Sequence, residues 1–471
     1  MTRDNKFTGV LIGGAIGDAL GWPFEFSASA VTNKDKKSGY FIDWSKRIGG
    51  AYWGYDDSIE AGSYSDDTQL TIAVARCIDF DGNFLREKFA YEELPLWLQY
   101  ERGGGRATKY AIRSLLDRKT TTWDNNFFKS SEVTYRGAGA NGVAMRSAPI
   151  VMAGINKSSE SIAQHLTENA IITHGHPRAI IGSYLISSAL MSVLRHEKLD
   201  TANLKELANE LCFVGREYIS SSLNNWIAKW NEEGGNFLEI YNQTVIEMNQ
   251  GLDLISSANN VSQVVSSLKA NTFNNKGSGI DSTLVAISTH LLHSEEMGNA
   301  LKYTAYYPGI DTDTISSMLG WLIGAQYGKS AFDEHLVSNV QDVSYLEKLG
   351  NMLFNIAEPK SGNQTTLLGT LTTGKRDYLS RVWAWEVGMF EMFWDAIEVD
   401  SVINHPTLGR GTVIYKFNNE VAYERTGKGK YYNANVKIRF DEGQTCSFHA
   451  VVNESGLPDS SLTKRLESIL K

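Results

Sequence analysis

The chain has 471 residues, enough for a large core and more than one domain. Its net charge of −9, with charged residues interspersed rather than blocked, excludes a chain-wide nucleic-acid surface and leaves room only for one small, locally basic module. Cys77, Cys212 and Cys446 are far apart and odd in number, which argues against a disulfide framework or a zinc knuckle.

The polar start Met1–Lys6 leads into an apolar run that is too short and too interrupted by glycine to be a secretory or membrane-spanning segment. A cytoplasmic protein with no membrane partner is the expectation. Phe7 to Leu20 reads as a helix whose Gly9, Gly13 and Gly17, continued by Gly21, share one face. Exposed glycines there would cost about 1 kcal/mol each relative to alanine, so a buried face in close backbone contact is expected. Pro23 ends this helix and throws Glu25 into a loop; Asp18, inside the helix, reads as a capping or packing residue. Ser65-Asp66-Asp67-Thr68 then precedes a helix over Gln69 to Ile78. A simple N-cap uses Ser65 or Asp66 alone and leaves the adjacent carboxylate unexplained.

Two glycine-rich loops follow, Arg102-Gly103-Gly104-Gly105-Arg106-Ala107-Thr108 and Gly137 to Gly142 with Val143-Ala144-Met145-Arg146. Each offers free N–H groups able to cradle a diphosphate, and neither matches a Walker or dinucleotide fingerprint. Thr173-His174-Gly175-His176-Pro177 lacks a third ligand at zinc spacing, so His174 reads as a substrate-contacting or helix-capping residue. Helices are expected over Ser161–Thr173, Arg178–His196, Thr201–Tyr218 and Ser282–His293. Asp311-Thr312-Asp313-Thr314 opens another helix, with Asp311 at the cap, Asp313 in the first turn, and a second glycine series at Gly320, Gly324 and Gly328.

A polar stretch at Glu358–Gln364 marks a boundary, and a tryptophan-rich helix is expected around Asp377 to Ile397. Short alternating strands follow at Gly411–Lys416, Glu420–Glu424, Tyr431–Phe440 and Thr445–Val452. Turns are expected at Asn418-Asn419, Gly427–Lys430 and Asp441–Gly443, and a closing helix from Ser460 to Leu470. The fold class is therefore mainly α: an all-α domain over 1–357, a linker and connecting helix over 358–398, and a small antiparallel β-barrel with a terminal helix over 399–471.

Either acidic cluster alone is as readily structural as functional. Together they crowd hard oxygen ligands beyond what two helix dipoles offset, typically under ~2 kcal/mol per charge, and they favour a magnesium or manganese pair.

Taken in order, Gly13-Gly14-Ala15-Ile16-Gly17-Asp18-Ala19-Leu20-Gly21 with Glu25, Tyr64-Ser65-Asp66-Asp67-Thr68, Asn141 to Arg146, Thr173-His174 and Gly309 to Thr314 resemble the ADP-ribosylglycohydrolase family, which includes the dinitrogenase reductase-activating glycohydrolase. The resemblance spans about Phe7 to Gly328. It implies an all-α fold with two Mg²⁺ or Mn²⁺ ions in a central cleft, held by Glu25, Ser65, Asp66, Asp67, Asp311, Asp313 and Thr314. Ser65 stands where many members have threonine, and Ala140-Asn141-Gly142 where many have Gly-Asn-Gly. Glu25, Asp66, Asp67 and Asp313 are the expected catalytic residues. Gly105, Thr108, Asn141, Gly142, Met145, Arg146 and His174 are the expected substrate contacts. The implied reaction removes ADP-ribose from a modified protein side chain such as arginine, or from a nucleic acid or small molecule. The alternative is a catalytically retired ADP-ribose-binding or scaffold protein acting through its C-terminal module. That module, Val402 to Val413 with Val436 to Asp441, resembles the SH3- or Tudor-like barrel that ends UvrD/PcrA-type helicases, which implies a protein partner such as RNA polymerase, the alternative being a structural cap or dimer contact.

Overall fold

The computed structural model describes residues 2–25, 38–48, 55–117, 122–293, 297–359, 374–392, 394–421, 431–453 and 461–470. Two helices define its centre. Arg3–Gly21 is buried from Lys6 onward, and Thr312–Tyr327 is buried through Ala325, so neither keeps a polar stripe. They run antiparallel and pack along their lengths. The glycine faces meet as backbone against backbone: a Cβ on Gly13 would lie 2.3 Å from the Gly320 carbonyl oxygen, and one on Gly17 2.0 Å from that of Ser316. The same contact recurs between Gly9 and Gly324 and between Gly21 and Thr312. The C-terminal end of the first helix is thereby fixed against the N-terminal end of the other.

Helices Asp66–Ala75, Pro177–His196, Gly279–Leu292, Met297–Ala305 and Val343–Ala357 surround this pair. Pro177–His196 is long and apolar enough to cross a membrane, but 94% of that stretch is buried inside the fold, as in the core helix of a globular protein. The expected helices are present with ends moved by a few residues, for example Ser159–Ile171 and Thr201–Ser222. Phe237–Ser257 and Val261–Leu268 form further helices. Strands β1 (Trp44–Ile48) and β2 (Tyr55–Ile59) pair antiparallel beside them.

The tryptophan-rich helix is shorter than expected. It runs from Lys375 to Glu386, widens into a π turn over Val387–Met392, and ends in a 3₁₀ turn at Trp394–Ala396. Trp385 and Trp394 are both buried. Nine residues apart, they would point to opposite sides of a straight α-helix, so burying both on one side requires the break.

The C-terminal sheet is a meander in the order β3 (Val402–His405), β4 (Gly409–Val421), β5 (Tyr431–Phe440) and β6 (Thr445–Asn453). Val413, Ala434, Val436, Ile438, Phe440, Cys446 and Phe448 form its inner face. The expected turn at Asn418-Asn419 is not made. Both residues pair with β5, opposite Ala434 and Asn433, so one long hairpin replaces two short strands, with a bulge between Val413 and Tyr415. The rest of the expected Glu420–Glu424 strand and the Gly427–Lys430 turn lie outside the described residues beyond Val421. Ser461–Leu470 packs on Lys375–Glu386. Chain composition and periodicity thus give a mainly helical protein with a small antiparallel C-terminal sheet.

Candidate metal centre

The antiparallel glycine contact delivers Asp18 and Glu25 from one side and Asp311, Asp313 and Thr314 from the other. Helix Asp66–Ala75 brings its N-terminus to the same point. Carboxylate oxygens of Asp18, Asp67 and Asp313 lie within 4.8 Å of one another, and so do those of Glu25, Asp311 and Asp313. Asp313 belongs to both groups.

Each side chain is set by its backbone. Ser65 is the N-cap of the Asp66–Ala75 helix, its hydroxyl accepting from the Asp67 N–H at 3.3 Å and donating to Asp67 Oδ2 at 3.2 Å. The other free N–H groups of that turn go to Asp18, which accepts from Ser65 N at 3.0 Å and from Thr68 N at 3.0 Å. The Thr68 hydroxyl donates to it as well, at 2.6 Å. Asp18 therefore caps a helix whose N-cap residue, Ser65, lies 47 residues later in the chain. Asp311 occupies the N-cap of Thr312–Tyr327 without a cap bond of its own; its carboxylate instead accepts from Asn141 Nδ2 at 3.0 Å. Thr314 N donates to Asp313 Oδ1 at 2.9 Å, and the Thr314 side chain lies beside Asp67.

The arrangement is electrostatically expensive as it stands. Burial, then neighbouring carboxylates, hold Asp67 and Asp313 well above the usual carboxylate range. Burial and then Asp311 do the same for Glu25. Asp66 is pushed up to about 7 by burial, then by Glu101 and Asp18. Burial also raises Asp18, against the bonds it accepts. Asp67 Oδ1 is buried and has no hydrogen-bond partner. A bare, buried carboxylate oxygen among hard oxygen donors suits a divalent cation, and the residues present fit one.

Asp66 stands apart from both groups and faces the Glu101–Gly105 loop. Gly103 adopts φ +92°, and a Cβ on it would lie 3.0 Å from Asp66 Oδ1. On the far side Gly277, at φ +78°, sits equally close to Asp311 Oδ2. Gly277 is absent from the sequence-based candidates, because nothing local distinguishes it from any loop glycine.

The expected substrate contacts separate into two sets. Asn141, Gly142, Thr108 and His174 converge: Asn141 donates to Asp311 and to Ser282 Oγ, and a Cβ on Gly142 would lie 3.1 Å from His174 Cε1 and 3.8 Å from Thr108 Oγ1. Nδ1 of His174 pairs with the Thr173 hydroxyl at 2.8 Å. Burial, with Arg146 adding to it, presses its pKa down to about 3, so the ring is neutral. The capping histidine is its neighbour His176, whose Nδ1 accepts from Arg178 N. Gly105 sits in open space at the N-cap of Arg106–Leu115. Met145 and Arg146 lie beneath the loop instead. The Met145 carbonyl accepts from Thr71 Oγ1. Arg146 is fully buried, donating to Asn169 Oδ1, the Asn169 carbonyl and Thr173 Oγ1, with its pKa lowered to about 9 by burial. Its guanidinium ties the loop to the end of the Ser159–Ile171 helix and is shut off from solvent.

Buried carboxylates gathered at three helix ends, one oxygen of them bare, define a mainly α protein with an acidic centre able to hold metal. The family model for ADP-ribosylglycohydrolase matches residues 1–363. The chain belongs to the ADP-ribosylglycohydrolase family, whose members are metal-dependent. It is 23% identical over 370 residues to the ADP-ribosylhydrolase ARH3 of Danio rerio, covering 75% of this chain and 90% of that one. It is also 24% identical over 356 residues to an uncharacterized protein of Archaeoglobus fulgidus, covering 75% and 97%. Among solved structures, the ADP-ribosylglycohydrolase-related protein complex aligns over 75% of this chain and 99% of that one, with a TM-score of 0.46 and 18% identity.

Proposed function

We propose that the chain is a hydrolase that cleaves the glycosidic bond between ADP-ribose and a modified acceptor, a protein side chain such as arginine, using two Mg²⁺ or Mn²⁺ ions. The observation that carries this reading is the pair of carboxylate groups sharing Asp313, one of which includes Asp67 with its bare Oδ1. Two overlapping groups around one shared carboxylate suit two neighbouring cations. Glu25, Asp67, Asp311 and Asp313 would hold them from within the two groups, with Ser65, Asp66 and Thr314 as further ligands beside them. Bound there, the ions would supply Lewis acidity and positive charge to the substrate.

The chain's own groups do the rest. Breaking the bond at the anomeric carbon builds an oxocarbenium-like charge, which the buried carboxylates stabilise by proximity. Glu25, only partly exposed and beyond the end of its helix, would hold or pass a proton at the leaving atom. Asn141, locked to Asp311 and Ser282, orients the loop in which Gly142 leaves space beside the neutral His174. Thr108 and Gly105, at the start of the Arg106–Leu115 helix, would meet the diphosphate. On the same reading, residues 1–357 form the catalytic unit. The C-terminal sheet, taken as an SH3- or Tudor-like module, offers a protein contact.

The test is release of ADP-ribose from arginine-modified protein with Mg²⁺, with Mn²⁺ and with chelator, for the wild type, Asp66→Ala and Asp313→Ala. Cation-dependent release lost in both variants supports the reading. No release from any acceptor, with ADP-ribose still bound, identifies a binding protein instead.

A further inference from the structure

The family match ends at residue 363, so β3–β6 lie beyond it, yet the sheet reaches the centre through two residues of the helical part. The first is Asp342. Its Oδ2 accepts from the Tyr64 hydroxyl at 2.8 Å and from the Thr445 N–H of β6 at 2.8 Å. Tyr64 is the residue before the Ser65-Asp66-Asp67 turn. Asp342 holds φ +58°, a left-handed conformation that Asp tolerates better than most non-glycine residues.

The second is Arg76, at the C-cap of the helix that Asp66 and Asp67 open. Its guanidinium grips Glu93, with its shortest contact at 2.6 Å, and donates to the Tyr100 hydroxyl at 3.1 Å and to Gln444 Oε1, just before β6. Tyr100 packs edge-on against Phe448 of β6, with ring centroids 5.8 Å apart. Immediately after Tyr100 comes the loop that carries Gly103 against Asp66 Oδ1. Gln69 ties that loop back to the Asp66–Ala75 helix, donating to the Tyr100 carbonyl and accepting from Arg102 N.

Both lines of contact run from one strand of the sheet to the same acidic turn. We propose that the C-terminal sheet is a structural member of the centre and no mere tether, with Asp342 and Arg76 as the positioning residues through which it holds the Tyr64–Thr68 turn and the Tyr100–Gly104 loop. The proposal rests on the reading of that centre as the working site.

Hydrogen–deuterium exchange on the full-length chain without metal tests it, comparing wild type with Gln444→Ala, Asp342→Ala and Asp342→Asn. The asparagine variant keeps an oxygen for both donors. Gln444→Ala and Asp342→Ala should speed exchange about tenfold in peptides covering 64–68 and 100–104, while Asp342→Asn stays near wild type. Faster exchange confined to 340–346 and 440–448 would overturn the proposal, since the sheet would then merely be docked. If Asp342→Ala does not fold, Gln444→Ala carries the decision. Calorimetric titration with Mn²⁺ adds a second reading: affinity should fall about tenfold in Asp342→Ala and be restored in Asp342→Asn. A wild type that takes up no Mn²⁺ refutes the metal centre, and the exchange pattern then still decides the bracing separately.

Discussion

Raising the pH without divalent cations should weaken this protein, and cations should restore it. Asp18, Glu25, Asp66, Asp67 and Asp313 all have folded pKa values above their unfolded ones. The folded state therefore binds more protons than the unfolded state, and stability falls as pH rises from the unfolded carboxylate range through the folded values. For Asp66 that window closes at about 7. One pKa unit corresponds to about 1.4 kcal/mol, so Asp66 alone contributes a loss of roughly 4 kcal/mol by pH 8. At about 2.1 cal/mol/K per residue of unfolding entropy, a chain of this length loses ~4 °C of Tm if it unfolds as one unit. A cation at a hundred times its Kd returns about 2.7 kcal/mol per site, and more where protons no longer compete. Buried His174 and His176, lowered to about 3 and about 4, act oppositely: their neutral forms add stability as pH rises through the unfolded histidine range. The assay is therefore the Tm difference with and without Mg²⁺ or Mn²⁺, followed from pH 6.5 to 8.5 by calorimetry. It should grow across that range. A difference that is flat, or that shrinks toward high pH, would refute the reasoning.

Gly320→Ala would drive a methyl to 2.0 Å from the Gly13 carbonyl. It should destabilise by about 3 kcal/mol or more, read by chemical denaturation, and weaken cation binding by parting the two helix ends. Gly103→Ala strains a φ of +92° and crowds Asp66, so Mn²⁺ affinity should drop severalfold while Tm falls only slightly. Arg146→Met leaves the oxygens of Asn169 and Thr173 without their donor. Thermal melts should show a loss of about 3 kcal/mol, while Mn²⁺ affinity in the protein that remains folded stays close to wild type.

Much of the fold was legible because its signals are local. Glycines four apart on two helices announced a close backbone contact, and alternating residues announced β5 and β6. Asp18 was legible as a capping residue but not as the cap of another segment, since Ser65 and Thr68 are distant in sequence. The Asn418-Asn419 pair looks like a turn until β5 supplies its partners. The break after Glu386 depends on a sheet that receives Trp385 and Trp394 on one side. Arg146 was expected at a ligand because of its loop; its partners on Ser159–Ile171 and just beyond it become visible only in three dimensions. β1 and β2 escaped notice because Trp44–Ile48 and Tyr55–Ile59 carry mostly polar residues and little apolar alternation.

The glycine contact between the first helix and Thr312–Tyr327 also makes the spacing of the centre a matter of residue counting. Side chains at an ordinary helix interface can repack and let one helix slide, but backbone pressed on backbone has no such slack. The carboxylates are placed by how many residues separate Gly17 from Asp18 and Glu25, and Gly320 from Asp313. Inserting one residue within either helix, between its glycines and Asp18 or Asp313, would turn that carboxylate by about 100° and shift it about 1.5 Å, a change no rotamer could undo. The length of these two intervals is therefore under tighter restraint than the identity of most residues within them.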